Sequence, residues 1–244
     1  MPFEWARTTL PAMNHWPAAV LFDFDGVIVN SEPLHFDAFR QTLAAEHIDL
    51  SEDEYFHELI GFDDRGAFKH VFEKHGRELD PKSFLRIMTR KSEIMMELIH
   101  DRRYAALGGV EELVRGLWRH YPLAIVSGAL REEIEAMLEG VSLRDCFPTI
   151  VAAEDVSVGK PDPQGYLQAV RLIRERTGKK IEPKDCLIIE DAPSVIREAN
   201  KVGFIALAVA SSYPLEKLSD AKYAVRRLDV DEVKRQIPQL KTSV

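Results

Sequence analysis

Asp23 and Asp25 stand two residues apart, just before Gly26, at the end of the apolar run Ala18-Ala19-Val20-Leu21-Phe22. Two carboxylates that close repel each other and lift one pKa, unless a divalent cation or a division into acid and base relieves the conflict. Other polar groups hold comparable places. Ser127 follows Pro122–Val126, Lys160 follows Thr149–Ala152 at some distance, and Glu190-Asp191 follows Cys186–Ile189. Carboxylate oxygens of this kind suit Mg²⁺, and no His/Cys grouping points to zinc. An ammonium and a hydroxyl suit the non-bridging oxygens of a phosphoryl group. Each feature alone has a plain alternative. Asp-x-Asp-Gly is a common turn and Ser127 an ordinary turn serine. Lys160 reads equally as a solvated loop lysine, and Glu190-Asp191 as an acidic pair favoured by a helix dipole.

The elements around these residues decide whether they can meet. The apolar run before Asp23 is nearly continuous, as expected for a strand buried on both faces of a parallel sheet. In extended chain Asp23 and Asp25 then project to the same side, at the carboxyl end where open α/β sheets hold ligands. Past Gly108-Gly109, short apolar runs alternate with helical patterns, which predicts βαβ units. The runs are Pro122–Val126, Thr149–Ala152, Cys186–Ile189 and Phe204–Ala208; the helices span 110–120, 130–138, a stretch to about 176 and one ending near 202. Between Ser31 and Tyr104 almost nothing resembles a strand. Phe36, Phe39 and Leu43 recur at helical spacing, and further helices are expected over 52–60, up to 74, and from Pro81 to about Ile99, together a small bundle. The fold class is therefore α/β: a doubly wound, Rossmann-like parallel sheet with an all-α helical bundle inserted after its first strand. Residues 17–31 and 105–240 form the core, 32–104 the insert, and 1–16 an N-terminal extension, within which Met13 is an alternative start.

The 244 residues carry a net charge of −8, with 45% hydrophobic and 30% charged side chains, a soluble globular composition. The acidity argues against a nucleic-acid surface but leaves room for phosphorylated substrates held by a local cation or metal. Cys146 and Cys186 make no disulfide framework and read as small core residues. No apolar run reaches membrane-spanning length, and the first residues lack a secretory signal, so a cytoplasmic protein is expected.

Taken in order, Asp23-Phe-Asp25-Gly26-Val27, Val126-Ser127, Gly159-Lys160-Pro161 and Ile189-Glu190-Asp191 resemble the four motifs of the haloacid dehalogenase (HAD) superfamily. The helical insert is similar to the cap of its phosphoglycolate phosphatase and β-phosphoglucomutase branch. The resemblance implies that Asp23 attacks phosphorus and forms an aspartyl phosphate. Asp25 would protonate the leaving oxygen and then deprotonate water. Asp23, Asp191, Glu190 and the main-chain carbonyl of Asp25 would hold Mg²⁺, and Ser127 and Lys160 would hold phosphoryl oxygens. Val195 departs from the glycine many relatives carry there. Asp162 receives no role beyond orienting its loop.

Three residues of the insert match positions that meet substrate or the general acid in β-phosphoglucomutase: His35, Arg65 and Lys91. Lys91 lies on the apolar seam Phe84, Met88, Met95, Leu98, where a snorkelling lysine is the simpler alternative. His35 reads otherwise as a helix histidine beside Phe39, and Arg65 as a first-turn surface charge. The stretch Ser127-Gly128-Ala129-Leu130-Arg131 lacks the small polar residues with which the mutase holds a second phosphate, although Gly128 and Arg131 remain candidates for substrate contact. Hydrolysis of a small phosphomonoester, a sugar phosphate or similar metabolite, is therefore expected, with a phosphosugar mutase second. A receiver-like phospho-acceptor or a binding protein is the non-enzymatic alternative, although receivers carry their acidic pair early rather than late. Oligomeric state is not legible. A mobile insert is expected to hinge near 29–32 and 104–109.

Overall fold

The computed structural model describes residues 16–59, 62 and 64–243; the expected N-terminal extension and the alternative start at Met13 lie outside them, apart from Trp16. Six strands form one parallel sheet: β1 Ala19–Phe22, β2 Leu123–Val126, β3 Thr149–Val151, β4 Cys186–Glu190, β5 Ile205–Val209 and β6 Tyr223–Val225, in the order β3-β2-β1-β4-β5-β6. The last strand was not expected. It is a three-residue edge strand, only part-buried, and too short to leave a pattern.

Side chains alternate across the sheet, and both faces are dry. Val20, Phe22, Leu123, Ile125, Leu187 and Ile189 enter one apolar layer, whereas Ala19, Leu21, Ala124, Val126, Cys186 and Ile188 enter the other. That is why the strands read as continuous apolar runs rather than alternating ones. The first layer is completed by helices α5 Val110–Trp118, α6 Arg131–Gly140 and α9 Val230–Gln236; the second by α7 Gln164–Thr177 and α8 Pro193–Lys201. Both cysteines are buried and free, and Val195 packs inside the second layer.

The register fixes what meets at the carboxyl edge. Phe22 pairs with Ile125 on one side and Ile189 on the other, so the next residues, Asp23, Val126 and Glu190, emerge level. Strand order reverses between β1 and β4, the switch point where a crevice opens beyond the strand ends because the following helices diverge.

Between β1 and β2 the chain forms α1 Glu32–Ala45, a single turn α2 Glu52–Glu54 running into a π-helical turn Tyr55–Leu59, α3 Asp64–Lys74 and the long α4 Pro81–His100. Pro81 opens α4, and Asp80 caps it by accepting from the Lys82 and Ser83 amides. Phe39, Leu43, Tyr55, Phe68, Phe72 and Ile87 give these helices an apolar cluster of their own. The second half of α4 behaves differently: Ile94, Met95, Leu98 and Ile99 belong to the layer under the sheet and pack with α6. No helix among the described residues is long and apolar enough to cross a membrane.

Candidate active site

The strand ends bring three acids together. Asp23, Glu190 and Asp191 are all buried, and one oxygen of each lies within 4.8 Å of the others. Lys160 reaches into the group and donates to Asp23 Oδ1 at 2.5 Å and Glu190 Oε1 at 2.6 Å. Burial works against the ammonium, yet Asp23 and Glu190 hold its pKa well above the ordinary range, so it stays charged. Desolvation pushes Asp23 upward against the pull of Lys160, and it lifts Asp191, beside Glu190, to about 7.

Asp25 does not join this cluster through its side chain. The strand ends at Phe22, and the chain turns at Gly26 with φ +77°. The strict alternation that would set Asp23 and Asp25 on one side therefore stops too early. The Asp25 carboxylate instead accepts from Ser31 Oγ and, at 3.2 Å, from Ser127 Oγ, and His35 Nε2 stands 4.0 Å away. Gly26 is required twice. Its backbone is left-handed, and a Cβ there would fall on the Asp191 carboxylate.

Further groups hold the cluster in place. Ser212 donates to Asp191 Oδ2, as does Ser211 at 3.3 Å, and Ser211 also donates to the Gly26 carbonyl. The buried Tyr166 hydroxyl donates to Glu190 Oε1 at 3.1 Å, while Glu190 Oε2 accepts the amides of Asp191 and Ala192 at 2.9 Å. Sequence reasoning missed all three side chains. Ser211 and Ser212 do follow β5 as the other polar groups follow their strands, but two serines before Tyr-Pro look like any turn. Tyr166 sits on an apolar helix face and reads as core.

The cluster suits a divalent cation. All donors are hard oxygens, and the three buried carboxylates, when ionised, outnumber the one ammonium that bonds them among the described residues. A cleft of about 290 Å³ opens beside Asp25 and Gly26, bounded by Asn30, Leu107, Ser211 and Ser212.

The insert contributes unevenly. Lys91 is only 1% exposed, bonded to Asp64 at 2.8 Å and to His35 Nδ1 at 3.0 Å. An ammonium only donates, so Nδ1 accepts and the ring proton sits on Nε2, toward Asp25. The seam lysine is thus fully enclosed, not snorkelling. Arg65 is exposed on the first turn of α3. Gly128 is exposed with open space around its Cα, and Arg131 turns away from the site to Asp155 and, at 3.1 Å, the Ile150 carbonyl. Its long stem can reach either way, and a carboxylate in β3's following loop decides the direction. Asp162 accepts the Gln164 amide at 2.8 Å, shaping the loop after Lys160.

The sequence profile of the haloacid dehalogenase-like hydrolases matches residues 20–209, most of the chain and all of the cluster. The chain belongs to the haloacid dehalogenase-like hydrolases. Within that family it is 30% identical over 216 residues to the chloroplastic 5-amino-6-(5-phospho-D-ribitylamino)uracil phosphatase of Arabidopsis thaliana, covering 88% of this chain but only 55% of that protein. It is 29% identical over 193 residues to fructose-1-phosphate phosphatase YqaB of Escherichia coli, covering 79% of this chain and 96% of the relative. The fold matches that of CbbY from Rhodobacter sphaeroides with a TM-score of 0.77 at 22% identity, over 91% of this chain and 98% of that one. Members of the family share a divalent-metal site, and the buried acidic cluster of this haloacid dehalogenase-like hydrolase has the composition to form one.

Proposed function

We propose that the chain is a Mg²⁺-dependent phosphatase that hydrolyses a small phosphomonoester, a sugar phosphate or related metabolite, through an aspartyl phosphate on Asp23. The observation that carries this is the divergence of the two aspartates. Asp23 lies in the charge cluster with Lys160, Glu190 and Asp191, while Asp25 faces Ser127, Ser31 and His35. That difference in surroundings supports a nucleophilic role for Asp23 and an acid–base role for Asp25.

Asp23 attacks phosphorus, and Asp25 delivers a proton to the departing oxygen. Asp25 then takes a proton from water, and the water splits the acyl phosphate. Lys160 and Ser127 hold phosphoryl oxygens meanwhile. Asp23, Asp191, Glu190 and the Asp25 carbonyl would hold Mg²⁺, which supplies the positive charge that lets an anionic nucleophile approach an anionic ester. Residues 32–104 act as a cap over a core of 17–31 and 105–240, and the substrate's leaving group lies between them.

Hydrolysis is favoured over phosphosugar mutation because Arg131, the one cation of the loop after β2 that could hold a second phosphate, is engaged by Asp155. The similarity to two phosphatases points the same way. The test is Mg²⁺-dependent phosphate release from an aryl phosphate. Activity abolished by Asp23→Asn supports the proposal; release that survives Asp23→Asn, or none from the wild type, overturns it.

A further inference from the structure

We propose that Arg226 and Arg227, just past β6, form a substrate subsite that takes a second anionic group, a carboxylate or a phosphate, carried by the organic part of the phosphomonoester. This deepens the phosphatase proposal and rests on it. The cleft of about 290 Å³ beside Asp25 and Gly26 has both arginines in its wall. Its size, near the lower end of the roughly 300–1,000 Å³ usual for ligand clefts, suits a small metabolite. Asp25 is the proposed acid–base group, so an organic group whose oxygen it protonates has this cleft beside it.

The sheet brings the arginines there. Val209 pairs with Val225, and the Ala210 amide donates to the Val225 carbonyl at 3.0 Å. Arg226 and Arg227 therefore leave the sheet beside Ala210 and Ser211, on the same edge as the acidic cluster. Their backbone is fixed. The Glu232 carboxylate accepts the Arg226 amide at 2.7 Å and the Arg227 amide at 3.2 Å. Leu228 is buried just beyond them, and a Cβ on Gly109 would stand only 2.8 Å from the Asp229 Cα, so this loop is wedged against the chain returning from the insert. The guanidinium groups are uncommitted by contrast. Both residues are exposed, and neither side chain forms an ion pair or hydrogen bond with the described residues, the Asp25 and Glu32 carboxylates of the same cleft included. Those two acids have donors of their own: Ser31 and Ser127 for Asp25, and the Tyr55 hydroxyl at 2.7 Å for Glu32. A guanidinium carries donors only, and its planar fork matches a carboxylate or a phosphate with two parallel bonds. A neutral hydroxylated tail leaves that charge unmet; an acidic tail meets it.

The test measures kcat/KM in Mg²⁺ for two matched pairs, glycerol phosphate against phosphoglycerate and fructose monophosphate against fructose bisphosphate, with p-nitrophenyl phosphate as the reference ester. The wild type should favour the acidic member of at least one pair by about tenfold or more, and which pair responds tells a carboxylate subsite from a phosphate one. Combining Arg226→Ala with Arg227→Ala should lower that preference by about tenfold to a hundredfold, the usual loss for hydrogen bonds to a charged group, and chiefly through KM. Arg226→Lys with Arg227→Lys should restore part of it, since the charge returns without the fork. Raising salt to about 0.2 M should weaken the preference of the wild type, whose arginines are exposed to screening, and leave the alanine variant unmoved. If the arginines instead latch onto Glu32 across the cleft, the alanine variant loses all substrates in proportion and the preference stays. That result, or a wild type that hydrolyses the aryl ester and favours neither acidic member, overturns the proposal for the arginines alone. A wild type inert toward the aryl ester overturns the phosphatase proposal beneath it.

Discussion

Without metal, the acidic cluster should make the protein less stable as pH rises, and Mg²⁺ should reverse that dependence. Asp191 carries the clearest signal: desolvation, reinforced by Glu190, raises its pKa from an ordinary 3.8 to about 7. The folded state then binds more protons than the unfolded state between these values, so stability is complete below about pH 4 and is lost as pH climbs through about 7. At roughly 1.4 kcal/mol per pH unit the loss is about 4 kcal/mol. For a chain of this length that corresponds to roughly 10 °C in Tm. Asp23, raised by burial too, acts in the same direction. Mg²⁺ needs the ionised carboxylate, so its apparent affinity should rise about fiftyfold from pH 5 to pH 7 as one proton is displaced. Thermal unfolding in chelator and in millimolar Mg²⁺, at about pH 5 and pH 8, measures both effects. Asp191→Asn should flatten the pH slope, raise the chelator Tm at pH 8 and abolish the Mg²⁺ increment. A Mg²⁺ increment equal at both pH values, or one that survives Asp191→Asn, refutes the reasoning.

Gly26→Ala should remove the Mg²⁺ increment in Tm and reduce kcat by about a hundredfold or more, because the methyl group displaces Asp191 and the left-handed backbone is strained as well. Asp25→Asn should slow sugar-phosphate hydrolysis by about 10²–10⁴-fold but p-nitrophenyl phosphate far less in its first step, since nitrophenolate leaves without a proton; burst kinetics separate the two. Lys160→Met should destabilise the metal-free protein by about 3–5 kcal/mol in urea unfolding, because it strips the buried Asp23 and Glu190 of their cation. Mg²⁺ should restore part of that loss.

The sheet was legible because its central strands are dry on both faces and so announce themselves as apolar runs, each closed by a polar group. β6 was not, since Tyr223–Val225 is an edge strand of three residues with a half-wet face. The cluster followed from the same rule, applied to the residues one step past β1 and β4. What escaped was whatever depends on direction in three dimensions. Lys91 and Glu133 are both buried charges on helices, but only Lys91 interrupts an otherwise apolar seam. Glu133 follows Glu132 in the first turn of α6, where acids are expected for the dipole alone. Side-chain direction was no more legible at Arg131, which bonds Asp155, or at Arg65, which is exposed.

The position of the insert ties Asp25, the proposed acid–base group, to α1. Ser31, which bonds Asp25, stands at the entrance to α1, and His35 lies one turn further along. The returning chain runs beside it: the Asn30 amide donates to the Ala105 carbonyl at 3.3 Å, and Val29 bridges Ala106. Any rotation of α1 therefore moves the two groups that face Asp25. Such a rotation is not free, because Ile94, Met95, Leu98 and Ile99 anchor the end of α4 in the layer under the sheet. Pulling those side chains out would expose large apolar surface at roughly 25 cal/mol per Å². Any movement of the insert is therefore expected to leave the buried half of α4 in place.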